Sequence, residues 1–161
     1  CLMYALIETP LGIFRAQFTE RGLARLQFPG AKADPIDDAV DPSKLMLRQT
    51  ANALKTMLAG RTPKTLPPLD LSAGTEFQQQ IWRALLRIPC GRTRGYGELA
   101  RSVRRPKAAR AIGGACGANP IVVLVPCHRV IGATGKLIGF SGGTDWKVKL
   151  LDIEQPKRVK F

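Results

Sequence analysis

The sequence predicts an α/β chain: a small N-terminal antiparallel sheet with one helix, followed by a mostly helical C-terminal domain containing a helix-turn-helix. Three observations lead there. Residues 2–28 alternate β-rich runs with short turn signals, apolar residues recur at helical spacing from residue 77 onward, and the charge changes character between the halves. Of the net charge of +13, residues 1–75 contribute +2 and residues 76–161 contribute +11.

Residues 2–9, 12–19 and 23–28 read as three strands, separated by Pro10-Leu11-Gly12 and Glu20-Arg21-Gly22, which have the composition of hairpin turns. Residues 30–42 are acidic and hold Pro35 and Pro42, so an exposed loop is expected before Ser43 caps a helix. Leu47, Ala51, Leu54 and Leu58 share one face of that helix, and Gly60 ends it. Pro63, Pro67 and Pro68 make residues 61–71 an extended linker. A domain boundary near residue 72 follows, giving an N-terminal α/β domain with its linker (1–71) and a C-terminal domain (72–161).

Beyond the linker, Thr75-Glu76-Phe77-Gln78 is a capping-box pattern, and Phe77, Ile81, Leu85 and Ile88 line a helix that Pro89 stops. Residues 96–103 form a short second helix. Arg104-Arg105-Pro106 turns the chain into a third, over residues 107–117. Asn119-Pro120 ends that helix, and residues 121–125, the longest apolar run, cross the interior as a buried strand or extended segment. A glycine-rich loop follows, and Thr144 caps a last helix through Trp146, Leu150 and Ile153 that carries Glu154.

Composition narrows the function classes. A run of five apolar residues is far short of the roughly 20 needed to span a bilayer, so no membrane segment is expected. Cysteines at positions 1, 90, 116 and 127 form no Cys-x-x-Cys pair and no regular framework, which points to a reducing, cytoplasmic setting. With a single histidine there is no zinc-finger spacing, and no metal is expected. The start, Cys1-Leu2-Met3-Tyr4, reads as trimmed and shows no signal peptide.

The basic excess gathers at Arg92, Arg94, Arg101, Arg104, Arg105, Lys107 and Arg110, opposed in that window only by Glu98. That density suits a phosphate backbone, although a solvated basic face has the same composition. A helix that reads the major groove offers Asn, Gln, Arg or Lys to base edges. The third helix instead carries Ala108, Ala109, Ala111, Gly113, Gly114, Ala115 and Gly117 around one long donor, Arg110. Two readings stay open. Small residues allow close, sequence-tolerant approach to a minor groove with one inserted arginine, or they let two helices pack tightly.

The chemistry centres on Pro126-Cys127-His128-Arg129-Val130, where the only histidine adjoins a cysteine. An unperturbed thiol, with a pKa near 8.5, is mostly protonated at neutrality and needs a base or a positive neighbour to act as a nucleophile. His128 and Arg129 can supply these if the turn after Pro126 returns the imidazole toward the sulfur, directly or through a water. An inert core cysteine beside a valine-rich run is the alternative.

Taken together, these motifs resemble the O6-alkylguanine-DNA alkyltransferase (methylated-DNA–protein-cysteine methyltransferase) family. The resemblance rests on Pro126-Cys127-His128-Arg129-Val130, on Asn119-Pro120 before it and on Gly139-Phe140-Ser141-Gly142-Gly143 after it. Phe77-Gln78-Gln79-Gln80-Ile81-Trp82, Ile88-Pro89-Cys90-Gly91, Tyr96-Gly97-Glu98-Leu99-Ala100 and Ala108-Ala109-Arg110-Ala111-Ile112-Gly113 match in order and spacing, so it covers residues 72–154.

The resemblance implies irreversible, single-turnover repair of double-stranded DNA containing O6-alkylguanine, and also O4-alkylthymine, by a monomer that needs no cofactor. It makes Cys127 the acceptor and His128 the base acting through water, with Glu154 orienting His128 and Asn119 bracing the turn. Tyr96 crowds the target phosphate and donates a proton to the leaving base, Arg110 takes the place of the flipped nucleotide, and Arg105, Lys107 and Cys116 lie on the DNA side. Val130, Gly139, Phe140 and Ser141 line the base pocket. Cys90, in its Pro-Cys-Gly turn, is structural. The competing functions are a non-catalytic binder of alkylated DNA, a helix-turn-helix regulator and a cysteine hydrolase.

Overall fold

The computed structural model describes residues 2–32, 41–132 and 144–155. Strands β1 (Met3–Thr9), β2 (Gly12–Thr19) and β3 (Gly22–Gln27) form an antiparallel sheet in that order. The register pairs Met3 with Phe18 and Thr9 with Gly12, so the period-2 alternation sends Phe14, Ala16 and Phe18 of β2 into the core. The second hairpin turn requires its glycine. Gly22 has φ +150°, and a β-carbon there would collide with the Pro68 carbonyl.

That collision marks where the linker joins the sheet. The amide of Leu23 donates to Pro68 O (2.8 Å), and the Asp70 amide donates back to Leu23 O (2.8 Å). Further along the same edge, Leu26 N donates to Pro120 O (2.9 Å) and Val122 N to Leu26 O (3.3 Å). The open edge of β3 is thus covered by two segments, one of which leads into the Pro-Cys-His motif.

Helix α1 (Lys44–Leu58) starts at the expected cap, with Ser43 Oγ accepting from Met46 N (3.2 Å), and ends before Gly60, whose φ is +76°. Helix α2 (Glu76–Leu85) has the full capping box: Thr75 Oγ1 accepts from Gln78 N (3.1 Å), and Gln78 Oε1 accepts from Thr75 N (2.9 Å). Its Trp82 indole donates to Ala115 O (2.8 Å), tying α2 to the helix behind.

Strand β4 (Arg94–Gly95) leads into α3 (Tyr96–Ser102), and α4 is Ala109–Gly117. The third helix therefore begins two residues later than expected. Arg104 adopts φ +60° to reverse the chain, and residues 105–108 close a turn through Ala108 N to Arg105 O (2.9 Å), so Ala108 becomes the N-cap. The α2, α3 and α4 contacts build the helix-turn-helix.

The expectation of a buried strand or extended segment over residues 121–125 is corrected in its conformation. All five are buried, but the backbone coils: Leu124 N donates to Val122 O (2.8 Å), Val125 N to Ile121 O (3.1 Å) and Cys127 N to Val125 O (2.8 Å). Val123, at the first of these tight turns, has φ +68°, a conformation that costs a β-branched residue about 1–3 kcal/mol. An apolar run reports burial; it does not report conformation.

A two-stranded parallel pairing that the sequence did not suggest joins β4 to β5 (Val130–Ile131), setting the start of α3 against the residues after Cys127. Helix α5 (Thr144–Glu154) returns over the sheet, where the Trp146 ring stacks on Phe28 with centroids 4.5 Å apart. One cluster of buried side chains runs from Phe14 and Leu26 through Ile81 and Ile112 to Cys127 and Leu150.

Candidate active site

The tight turns over residues 121–127 end in a single 3-10 turn, Cys127–Arg129, whose three side chains are all buried. Asn119 fixes its position from behind. Its amide nitrogen donates to Val125 O (2.8 Å) and stands 3.1 Å from Cys127 Sγ, while its Oδ1 accepts from Ile121 N (3.0 Å). The side chain is 5% exposed and uses both ends of its amide.

Glu154, the last residue of α5, faces the turn. Its Oε1 lies 2.9 Å from His128 Nε2, and Arg129 grips both carboxylate oxygens, with Nη2 at 2.8 Å from Oε1 and Nε at 3.0 Å from Oε2. Burial pushes the Glu154 carboxyl up, but the hydrogen bonds from His128 and Arg129, and their charges, outweigh it and hold the pKa at about 2. The carboxylate is ionised. For His128 the balance runs the other way: complete burial lowers its pKa, helped by the Arg129 and Lys147 charges and opposed by Glu154. The imidazole is therefore neutral. With Nε2–H donated to Glu154, the lone pair sits on Nδ1, which is buried and has no hydrogen-bond partner among the described residues, the Cys127 sulfur included.

Cys127 is 1% exposed. Burial pushes its thiol up to about 11, against the Asn119 hydrogen bond, the Lys147 charge and the backbone amides of Cys127 and His128. It is a resting thiol that needs a base. Tyr96, half-buried at the start of α3, is pushed up to about 12 by burial and by the neighbouring Cys116 and Cys127 thiols, so its hydroxyl keeps its proton through the neutral range.

The sequence reading paired Arg129 with the sulfur as a positive neighbour, but its guanidinium is engaged elsewhere. Nη1 donates to Ile88 O (2.7 Å), and the remaining donors that are placed go to Glu154. The nearby cation that sequence reasoning missed is Lys147, 1% exposed, whose Nζ donates to Val130 O (2.6 Å). A signal was present: Lys147, Leu150, Leu151 and Glu154 follow i, i+3, i+4, i+7 spacing, so the lysine rides on the same stripe of α5 as two buried leucines.

Residues 76–156 match the family model described as the DNA-binding domain of 6-O-methylguanine DNA methyltransferase. The chain is 42% identical over 156 residues to a methylated-DNA–protein-cysteine methyltransferase of Methanosarcina mazei, covering 96% of this chain and 98% of that one. This chain belongs to the methylated-DNA–protein-cysteine methyltransferase family. Solved structures agree. The fold superposes on the crystal structure of Mycobacterium tuberculosis O6-methylguanine methyltransferase with a TM-score of 0.83 at 39% identity, covering 98% of this chain and 94% of that one. It also matches Mycobacterium tuberculosis OGT in complex with DNA, with a TM-score of 0.82 at 40% identity over 96% of this chain and 93% of the other.

The remaining described residues singled out in the sequence lie on and around the helix-turn-helix or beside the Cys127 turn. Arg101, Arg104, Arg105, Lys107 and Arg110 are exposed, with the Arg105 guanidinium 5.5 Å from the centre of the Phe77 ring. The exposed positions of α4 and its cap are Arg110, Ala111, Gly114 and Ala118. A β-carbon on Gly114 would meet nothing within 4 Å, so this face is a shallow shelf carrying one long side chain. Cys116 does not belong to that face. The expectation that it lies toward DNA is corrected: it is 2% exposed, on the core side of α4, where burial first and then Cys127 push its pKa to about 12. Val130 is fully buried beside the Cys127 turn. Gly139, Phe140 and Ser141 lie outside the described residues, as does the basic tail from Lys157 to Lys160. The Cys90 thiol is half-buried and approaches Gly60 O at 3.6 Å. No helix among the described residues is long and apolar enough to cross a membrane.

Proposed function

We propose that Cys127 is the cysteine that accepts an alkyl group from O6-alkylguanine in double-stranded DNA, with His128 as its base. Family membership gives the reaction class, direct DNA repair by alkyl transfer to a protein cysteine. The observation that carries the residue assignment is the chain Glu154–His128, whose buried Nδ1 is left as the proton acceptor next in sequence to a protonated, Asn119-held thiol.

In this reading the Cys127 proton passes through a water to His128 Nδ1. The imidazolium that forms is stabilised by the ionised Glu154, and the thiolate attacks the alkyl carbon. A sulfur–carbon bond forms as the carbon–oxygen bond breaks, and the electron pair leaves on guanine. Tyr96, still protonated, neutralises the departing base, and the His128 proton returns to solvent or to Tyr96. The thioether is not cleaved by water or thiols, so each molecule reacts once and needs no cofactor.

Because the sulfur is buried, a base inside a duplex stack cannot reach it, which favours a flipped nucleotide. The Arg110 shelf suits the minor groove, where small residues permit close approach and the arginine fills the emptied stack. Arg105 and Lys107 then meet phosphates, Asn119 braces the turn, and Val130 with Gly139, Phe140 and Ser141 lines the base pocket. The division into residues 1–71 and 72–161 separates a supporting sheet from the part that binds and reacts. O4-alkylthymine presents the same alkyl-oxygen electrophile and is a second substrate. The protein works as a monomer.

The test is a duplex carrying one O6-methylguanine, incubated with the protein, followed by proteolysis and peptide mass measurement. One methyl group per protein at Cys127 is the expected result. Sustained turnover, or binding with an unmodified Cys127, would overturn the assignment, the latter in favour of a non-catalytic binder.

A further inference from the structure

We propose that Lys147 is the fixed positive charge that stabilises the Cys127 thiolate during transfer, held in register by the Val130 carbonyl. The inference rests on Cys127 being the nucleophile and assigns a task to the buried cation, among the described residues, that the Glu154–His128 pair does not use.

A lysine that is 1% exposed is costly to keep charged, and its retention in the core calls for a compensating anion or a set of acceptors. The 2.6 Å bond to Val130 O supplies one acceptor. It also fixes the location of the charge. Val130 follows the Cys127–Arg129 turn directly, and its own amide bonds back to Cys127 O, so Nζ is tethered to the short loop that carries the sulfur. Among the described residues no other cation takes this role: Arg129 is committed to Glu154 and Ile88 O, and His128 is neutral. The exposed arginines of the helix-turn-helix lie on the outer surface.

Among the described residues, the charged and titratable groups facing this site are few. The turn brings Cys127, His128 and Arg129, α4 brings Cys116, α3 brings Tyr96, and α5 itself brings Glu154. Burial lowers the Lys147 pKa, while Cys127 and then Cys116 draw it back up, the mutual effect expected of a cation and two potential anions. One helix thus serves both halves of the reaction. Glu154 at its end stabilises the imidazolium, and Lys147, seven residues earlier on the same stripe, stabilises the thiolate. Lys147 keeps its protons throughout, and no bond to it forms or breaks. It acts through the charge on sulfur and is a positioning residue in that sense.

The test is the rate of alkyl transfer from free O6-benzylguanine, which needs no DNA, measured against pH for wild type, Lys147→Met and Lys147→Arg. An opposite charge at close range shifts a pKa by about one to three units, so Lys147→Met should react about ten- to a thousandfold more slowly at neutral pH, with its rising limb displaced upward by the same number of units and converging with wild type in alkali. Lys147→Arg should recover a substantial part of the neutral rate. A pH-independent loss, or an unshifted limb in a folded Lys147→Met, would overturn the proposal.

A second measurement does not depend on how those variants fold. In wild-type protein labelled at lysine side chains, the Lys147 signal should move as the Cys127 thiol ionises, and that step should vanish in Cys127→Ala. A Lys147 signal identical in the two proteins at every pH would overturn the pairing. If wild type accepted no alkyl group at Cys127, the assignment of the acceptor would fail, while this titration would still decide whether Lys147 pairs with the thiolate.

Discussion

The amide nitrogen of Asn119 stands 3.1 Å from the sulfur of Cys127, eight positions further along the chain. The same side chain also closes the backbone on either side of the strained Val123 turn, through Ile121 N and Val125 O. One amide therefore holds the bent backbone and offers a donor to the sulfur, which ties the geometry of the turn to the acidity of the thiol.

That coupling predicts two different outcomes at one position. Asn119→Ala leaves buried backbone groups unpaired and should cost about 1–3 kcal/mol per orphaned group, read in denaturant unfolding. Asn119→Asp keeps the acceptor for Ile121 N but removes the donor to sulfur and sets a negative charge beside it, so it should slow alkyl transfer at neutral pH more than it slows it in alkali. Transfer by Asn119→Asp at the wild-type rate would show that the amide serves the backbone alone.

The Glu154 carboxylate has two partners with separable roles. Glu154→Gln should strip the counter-charge from the His128 imidazolium and leave the Arg129 guanidinium buried and unpaired, a loss of about 3–5 kcal/mol for breaking a buried pair from one side. Replacing both, as Glu154→Gln with Arg129→Met, should restore much of that stability and none of the transfer rate. The pH dependence carries the same signature. The folded pKa is depressed from 4.5 to about 2, so the stabilisation is present above pH 4.5 and is lost as pH falls through the interval down to about 2. Melting temperature measured across that interval should fall more steeply for wild type than for Glu154→Gln.

How much of this was legible in the sequence depends on what kind of signal each residue leaves. Ser43, the Thr75–Gln78 capping box and the three strands were readable because caps, turns and alternation are local patterns that the backbone obeys directly. The adjacency of Cys127 and His128 was readable because the chain has a single histidine, and the Glu154 contact to His128 only through family resemblance, since nothing local marks a glutamate at a helix end. Residues 121–125 misled because β-branched burial looks the same in a strand and in a coil of tight turns. Cys116 misled because membership of a helix with one exposed face does not say which side of it a residue occupies. Lys147 was passed over because a lysine in an amphipathic helix is ordinarily a surface residue, and only the i, i+3, i+4, i+7 stripe placed it inward.

The Cys127 thiol and its two neighbours, Cys116 and Tyr96, predict behaviour in alkali. Burial raises the folded pKa of Cys116 from 9.0 to about 12, of Cys127 from 9.0 to about 11 and of Tyr96 from 10.0 to about 12. Each binds its proton more tightly folded than unfolded, so their stabilisation is complete below pH 9 and is lost as pH rises toward 12. Cys116→Val, close in volume and unable to ionise, should keep neutral-pH stability and flatten the alkaline fall in melting temperature. An unchanged alkaline slope would place the Cys116 thiol in water rather than in the core.

Arg110 is the long side chain on an otherwise small-residue shelf, which separates its contribution from that of the reacting groups. Filling the space left by a flipped base matters only when there is a stack to fill, and opening the stack costs a few kcal/mol. Arg110→Ala should therefore slow repair of O6-methylguanine in a duplex on the order of tenfold to a hundredfold, while reaction with free O6-benzylguanine stays near wild type. Pairing the lesion opposite a mismatch, where flipping is easier, should return part of the lost rate. Equal losses on duplex and free base would instead mean that Arg110 supports the site from within the fold, a role its exposure argues against.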